Sequence, residues 1–252
     1  MSSAILSTRR LSKRFGGVIA TDALDFEVMQ GEVHAVIGPN GAGKTTLVNQ
    51  LIGEIAPDAG QIIFAGQNIT RLPSYRRALL GISRSYQITS IFPEFSALDN
   101  VAIAAQARQG HSFKFWRPAS REPALTGPAL LALNEVGLAD KRDRFAAELA
   151  HGERRQLEIA MALVSAPKLL LLDEPMAGMG RHESESMVGL LATLKERYTI
   201  VLVEHDMDAV FALADRITVL VYGRRIACGN PQDIRSSMEV RRAYLGERYA
   251  AG

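Results

Sequence analysis

Gly38-Pro39-Asn40-Gly41-Ala42-Gly43-Lys44-Thr45 follows the spacing G-x-x-x-x-G-K-[ST]. A segment of this kind is suited to hold a polyphosphate. Such an anion needs several donors converging on it. Glycines let the backbone wrap closely and turn its N–H groups inward. A helix starting directly after the loop adds its positive N-terminal end. Lys44 is placed to reach the β- and γ-phosphates. Thr45 is placed to set a hydroxyl on Mg2+, and Thr46 to offer a further phosphate contact.

A second cluster lies far along the chain. Leu169-Leu170-Leu171-Leu172 is an apolar run closed by Asp173 and Glu174. Adjacent strand residues point to opposite sides, but a strand end can splay them around one site. Asp173 suits the shell of the magnesium ion. Glu174 suits a group that takes a proton from the attacking water or orients it. In many nucleotide hydrolases such a strand lies beside the strand that leads into the phosphate loop.

The elements that must position these groups can be read from apolar patterning. Val33 to Ile37 is a β-branched run ending at Gly38, and reads as a buried strand. Thr45 to Ile52 reads as a helix. Gln61 to Phe64, between Gly60 and Gly66, reads as an edge or hairpin strand. Leu169 to Leu172 and Thr199 to Val203 read as two further buried strands, and Ile217 to Ala227 as a hairpin around Gly223. Met187, Leu190, Leu191 and Leu194 fall on one helical face, as do Leu157, Ala160, Met161 and Val164. Strands alternating with helices imply an α/β fold with a mostly parallel sheet covered on both faces. Residues 96–163 carry helical or irregular patterns and no convincing strand, which reads as a helical lobe inserted in the core.

Composition bounds the alternatives. The chain has 252 residues, enough for one large domain or a domain with a lobe. Hydrophobic residues make up 47% and charged residues 22%, which argues for a folded protein rather than a disordered or fibrous one. Lys and Arg number 29 against 27 Asp and Glu, so no strong basic field points to nucleic acid. The single cysteine, Cys228, excludes a disulfide within the chain. No secretory leader and no run long enough to cross a bilayer is read, so a membrane role would need another chain as anchor.

Further motifs narrow the class. Gln87 follows Ser83-Arg84-Ser85-Tyr86. Leu149-Ala150-His151-Gly152-Glu153 opens a helix ahead of the acidic strand. Ala177-Gly178-Met179-Gly180 follows that strand, and Val203-Glu204-His205-Asp206 closes the next one. In this order the chain resembles the ATPase subunits of ABC transporters over essentially its whole length. Phe15-Gly16-Gly17, the stretch His151 to Ala160, Glu204-His205-Asp206-Met207 and the tail Ala243 to Glu247 resemble the branched-chain amino acid uptake group, and within it the longer of the two ATPase subunits.

That resemblance implies a P-loop NTPase core with an antiparallel β subdomain at its edge. Residues 1–87 and 164–252 would form the nucleotide-binding core, and residues 88–163 the helical subdomain that carries the signature. It implies ATP and Mg2+ as ligands. Phe15, 29 residues before Lys44, would stack on adenine. Gln87 would touch Mg2+ or the attacking water, and His205 the γ-phosphate. The signature, with Ala150, Gly152 and Glu153, would act in trans on the ATP of a second ATPase chain, either a copy or a similar subunit. The other implied partners are two membrane permease subunits and, indirectly, a periplasmic solute-binding protein. The implied place is the cytoplasmic face of the inner membrane, as a peripheral subunit. Phe92, Pro93 and Phe95 would face a permease helix or pack in the lobe, while Lys114, Arg117 and Arg121 would meet a permease or lipid headgroups or form a solvated face.

Two departures stand out. The usual signature serine is Ala150, which removes a hydroxyl worth about 1 kcal/mol as a cap or contact. The usual polar residue of the loop after the acidic strand is Gly180. The implied activity is hydrolysis of ATP coupled to solute import, of branched-chain amino acids or related small polar solutes. A soluble ABC ATPase detached from any transporter is the alternative, although such proteins usually carry two cassettes or a long coiled-coil insert.

Overall fold

A computed structural model describes residues 4–85, 91–109 and 122–242. The chain packs as two compact units, Met1–Leu80 with Lys195–Gly252, and Gly81–Leu194.

In the first unit, β1 (Ala4–Phe15) and β2 (Val18–Met29) form a long antiparallel hairpin with Phe15 opposite Val18. β4 (Ala59–Phe64) adds to the other edge of β1, and β5 (Gln67–Asn68) to β4. Leu6, Leu11, Leu24, Phe26, Val28, Ile62 and Phe64 bury one face of this sheet. The period of two is broken where the β1–β2 register shifts between Thr8 and Leu11. Arg10 and Ala23 stand there with φ of 48° and 45°, the mark of a bulge. Neither β1 nor β2 is evident from sequence patterning. β4 is a hairpin strand as expected, but lies inside the sheet rather than on its edge.

The same unit holds a second strand group in the order β10-β9-β3-β8. β3 (Val33–Ile37) and β8 (Thr199–Val203) are buried along their whole length, as continuous apolar runs in parallel sheets are. β9 (Arg216–Val221) takes the other edge of β3, and β10 (Arg224–Gly229) runs antiparallel to β9. Tyr222 and Gly223 connect them, both with positive φ, as a two-residue hairpin turn requires. Both edges of β3 are thus filled by β8 and β9. α7 (Met207–Leu213) and α8 (Pro231–Ser236) cover β3 and β9 through Val210, Ala214, Ile234 and Ala35, Ile37, Ile217 and Val219.

α1 (Lys44–Ile52) follows the loop after β3, and α2 (Ser74–Leu80) anchors it. Arg77 of α2 is 1% exposed. Its guanidinium donates to the carbonyls of Gln50 and Leu51 in the last turn of α1, at 2.6 and 2.8 Å, and to Leu72 and Thr70 at 2.9 and 3.0 Å. A helix C-terminus has unpaired carbonyls and negative partial charge, and one buried cation answers both needs.

In the second unit, β6 (Ile82–Ser85) and β7 (Leu169–Asp173) pair in parallel with Arg84 opposite Leu171. α3 (Ala97–Gln109), α4 (Pro123–Glu135) and α5 (His151–Leu163) pack on one another through Val101, Ala102, Leu125, Ala129, Leu133, Leu157 and Ala160. α6 (Arg181–Leu194) turns Met187, Leu191 and Leu194 inward. The expected α/β class is observed. β6 is not evident from sequence.

Candidate functional site

The loop 38–43 is held by contacts that only glycine permits. A β-carbon on Gly38 would lie 2.2 Å from the carbonyl oxygen of Leu220. One on Gly43, whose φ is 101°, would lie 2.1 Å from the carbonyl oxygen of Ala20. The Ala42 carbonyl accepts from the Gly223 N–H at 2.9 Å, so the β9–β10 turn also braces the loop. Lys44 is nearly buried. Its Nζ donates to the Gly38 carbonyl at 2.6 Å and the Pro39 carbonyl at 3.2 Å, folding the ammonium into the loop's concave side. Gly43 at the N-cap of α1 has no side chain to cap the first turn, which leaves that end suited to an anion. Thr45 is exposed and Thr46 half-buried, while Asn40 and Gly41 lie on the exposed rim.

Phe15 ends β1 with 49% of its surface exposed. Val18 and Ile19 beside it are exposed too, and the Lys13 ammonium lies 5.5 Å from the Phe15 ring. Ala20, the next residue of the same hairpin end, is the one that packs on Gly43. The structure thus places an exposed apolar patch in the same neighbourhood as the phosphate loop.

β3 and β8 run in register, Val36 opposite Val203. The phosphate loop and His205 therefore leave the same end of the sheet, where α/β proteins bind ligands. Glu204 is buried. Its Oε2 accepts from the N–H of His205 at 3.0 Å and of Asp206 at 3.5 Å, and lies 3.8 Å from His205 Nδ1. The imidazole itself is 62% exposed. Asp206 caps α7, its Oδ1 accepting from the N–H groups of Asp208 and Ala209. Glu204 belongs to the motif read from sequence, but its burial and its hold on the backbone of His205 are not evident there.

In the second unit, Asp173 ends β7 almost wholly buried, and its Oδ2 accepts from Arg84 Nη2 at 2.7 Å. Glu174 follows with φ of 49°, an uncommon conformation for a side-chain-bearing residue that costs on the order of 1 kcal/mol. This break in the strand ends the alternation between the two carboxylates.

The signature segment lies in the same unit. Ala150 is the N-cap of α5, and its N–H donates to Glu153 Oε2 at 3.0 Å. That is one half of a capping box, and the alanine methyl cannot supply the other. Glu153 also pairs with Lys141. Those two bonds, the Lys141 one foremost, hold its carboxyl below the usual glutamate range. Arg154 ties down the preceding segment through the carbonyls of Leu149 and Ala147, both at 2.9 Å. A β-carbon on Gly178 would stand 3.5 Å from the His151 ring, and the Gly180 N–H donates to Glu183 at 3.1 Å. The segments after β7 and before α5 therefore adjoin. Gly152 is half-buried against Glu183.

Phe92 and Phe95 are exposed, with ring centroids 5.4 Å apart. Buried Asn100 holds their turn, accepting from the Phe92 N–H and donating to the carbonyls of Phe92, Phe95 and Ser96. Gln87, Lys114, Arg117, Arg121 and Ala243–Glu247 lie outside the described residues.

Comparison with known proteins defines the class. Residues 21–177 match the family described as ABC transporter, and residues 224–250 the one described as branched-chain amino acid ATP-binding cassette transporter. The chain belongs to the ABC transporter ATP-binding family. It is 37% identical to the high-affinity branched-chain amino acid transport ATP-binding protein BraF of Pseudomonas aeruginosa and 38% identical to LivG of Escherichia coli K12, each over 98% of this chain and 100% of the relative. The fructose import ATP-binding protein FrcA of Rhizobium meliloti is 34% identical over 92% of this chain and 91% of its own. Among solved structures, the ADP conformation of MJ1267, an ATP-binding cassette of an ABC transporter, superimposes with a TM-score of 0.88 at 30% identity, covering 98% of this chain and 100% of that one.

Proposed function

We propose that this chain is the ATP-binding and ATP-hydrolysing subunit of an importer for branched-chain amino acids or related small polar solutes. The observation that carries the reading is the cradle of Gly38 to Lys44, with a nearly buried ammonium at its centre and a helix N-terminus behind it. Family membership and the names of BraF and LivG support transport as the use of that cradle. FrcA belongs to a sugar importer, so the ATPase alone does not define the cargo.

Each group then takes a role. Loop amides from Gly38 to Gly43 and the Lys44 ammonium bind the triphosphate, with Thr46 at a further phosphate oxygen. Phe15 stacks on the adenine. His205 meets the γ-phosphate, its backbone held by Glu204. Glu174 orients the attacking water and takes its proton, and Gln87 is assigned to touch Mg2+ or that water.

The donor set suits magnesium. Among the described residues no cluster of three His, Cys, Asp or Glu exists. Mg2+ commonly takes one or two carboxylates together with substrate phosphates and water. Thr45, Asp173 and Gln87 would hold it, and when bound it supplies charge neutralisation of the phosphates.

The chain acts as one cassette, with residues 88–163 as its helical subdomain. It pairs with a second ATPase subunit, and Ala150, Gly152 and Glu153 face the partner's nucleotide. Such a bridge joins two chains through ATP, and cleavage of the γ-phosphate removes it. No helix of the described residues is long and apolar enough to cross a membrane, so two permease subunits supply the channel and hold the chain at the cytoplasmic face. Phe92, Pro93 and Phe95 form the permease contact, and a periplasmic binding protein delivers the solute.

Reconstitution tests this. The chain, its partner ATPase and permeases are placed in proteoliposomes, and uptake of radiolabelled leucine is followed. ATP-dependent uptake that disappears with Glu174→Gln is expected. ATP hydrolysis without any attachment to permeases would favour a soluble ATPase instead.

A further inference from the structure

Asp173 is the only charged residue of β7, and it is 2% exposed. The Arg84 side chain that meets it is 8% exposed. The two are 89 residues apart in sequence, joined by parallel strands. Among the described residues Arg84 is the one partner of the Asp173 side chain. It takes Oδ2, and no described residue donates to Oδ1.

Stability alone does not account for such a pair. Removing two charges from water costs about as much as their attraction returns, and apolar residues of similar volume often serve as well. What the pair does provide is orientation. The guanidinium holds Oδ2 through one charge-assisted bond from Nη2, which restrains that oxygen and leaves Oδ1 uncommitted. It also compensates the charge of a buried group that must otherwise stand alone.

We propose that Arg84 is a positioning residue for Asp173. By holding Oδ2 it leaves Oδ1 for the magnesium shell, and it ties that carboxylate to β6. This rests on the role given to Asp173 above. In this role Arg84 acts through Asp173, so its loss should act on magnesium dependence and not on nucleotide affinity as such.

The test measures binding, without turnover, on the full purified chain. A fluorescent ATP analogue is titrated in EDTA and then across a magnesium series. Mn2+ with ADP is followed by electron paramagnetic resonance. Arg84→Met keeps the stem and loses the charge, while Arg84→Lys keeps a point charge without the planar fork. Outer-shell substitutions typically weaken metal sites about 10- to 100-fold. Arg84→Met is therefore expected to raise the half-effective magnesium concentration by about 10-fold, to change affinity in EDTA less than about 2-fold, and to alter the Mn2+ spectrum. Arg84→Lys should fall in between, and it carries the same test should Arg84→Met not fold. An unchanged magnesium dependence, or an equal loss in EDTA, overturns the proposal. Absence of any magnesium effect in the unaltered chain overturns the role of Asp173 itself, which separates the two failures.

Discussion

The α-carbon of Gly43 packs directly on the carbonyl oxygen of Ala20, closely enough that an added β-carbon would lie 2.1 Å away. The obstructing atom is backbone, and the residue's φ of 101° is unfavourable for any side chain. Gly43→Ala must therefore displace either the hairpin end or the start of α1. Unfolding free energy should fall by about 2–3 kcal/mol in urea melts, and affinity for a fluorescent ATP analogue should drop with it. Gly41, whose β-carbon would meet nothing within 4 Å, is the control, with loss set by its φ of 80° alone.

Arg77 offers a second stability test. Burial draws its pKa down to about 10, and four carbonyls still hold it. Arg77→Met leaves those acceptors buried without donors. A loss of about 3 kcal/mol is expected by chemical denaturation. Arg77→Lys should recover part of it, because an ammonium cannot span all four.

Glu153 makes the start of α5 sensitive to acid. Its folded-state pKa lies below its unfolded value of 4.5, held down first by Lys141 and then by the Ala150 N–H. The unfolded chain therefore takes up the proton first as pH falls. The stabilisation is fully present above about pH 4.5 and is lost as pH drops through the folded value. Urea melts of the unaltered chain and Glu153→Gln, compared from pH 6 downward, should show a stability gap that closes below that point. A constant gap would mean that the carboxylate acts by shape alone.

Ala150→Ser restores the missing half of the capping box. The helix should gain about 1 kcal/mol, read as a raised melting temperature. If the signature also reaches the partner's nucleotide, turnover of the assembled complex should rise too. A gain in stability with no gain in turnover or nucleotide affinity would confine residue 150 to a helix cap.

What the sequence discloses depends on how local the cause is. The phosphate loop is legible because its glycines and lysine act within one turn of chain. β3, β7 and β8 are legible because strands buried on both faces need unbroken apolar runs. The β1–β2 hairpin escapes because the bulge at Arg10 and Ala23 shifts the alternation midway, and because Arg9, Arg10 and Arg14 interrupt the pattern. β6 escapes because its apolar run is too short, and Arg84 looks like a surface charge until Asp173 is placed beside it. Arg77, Asn100 and Glu204 are hidden for the same reason. Each is a polar side chain whose burial is a property of its fold neighbours and not of its own segment.

The most direct measurement is equilibrium binding of magnesium-loaded ATP to the purified full-length chain, with Lys44→Met alongside. Saturable binding by the unaltered protein, weakened at least about 10-fold by removing one ammonium from the phosphates, is the predicted result. A folded, unaltered chain with no affinity for the nucleotide, or a Lys44→Met chain that binds it equally well, would contradict the account.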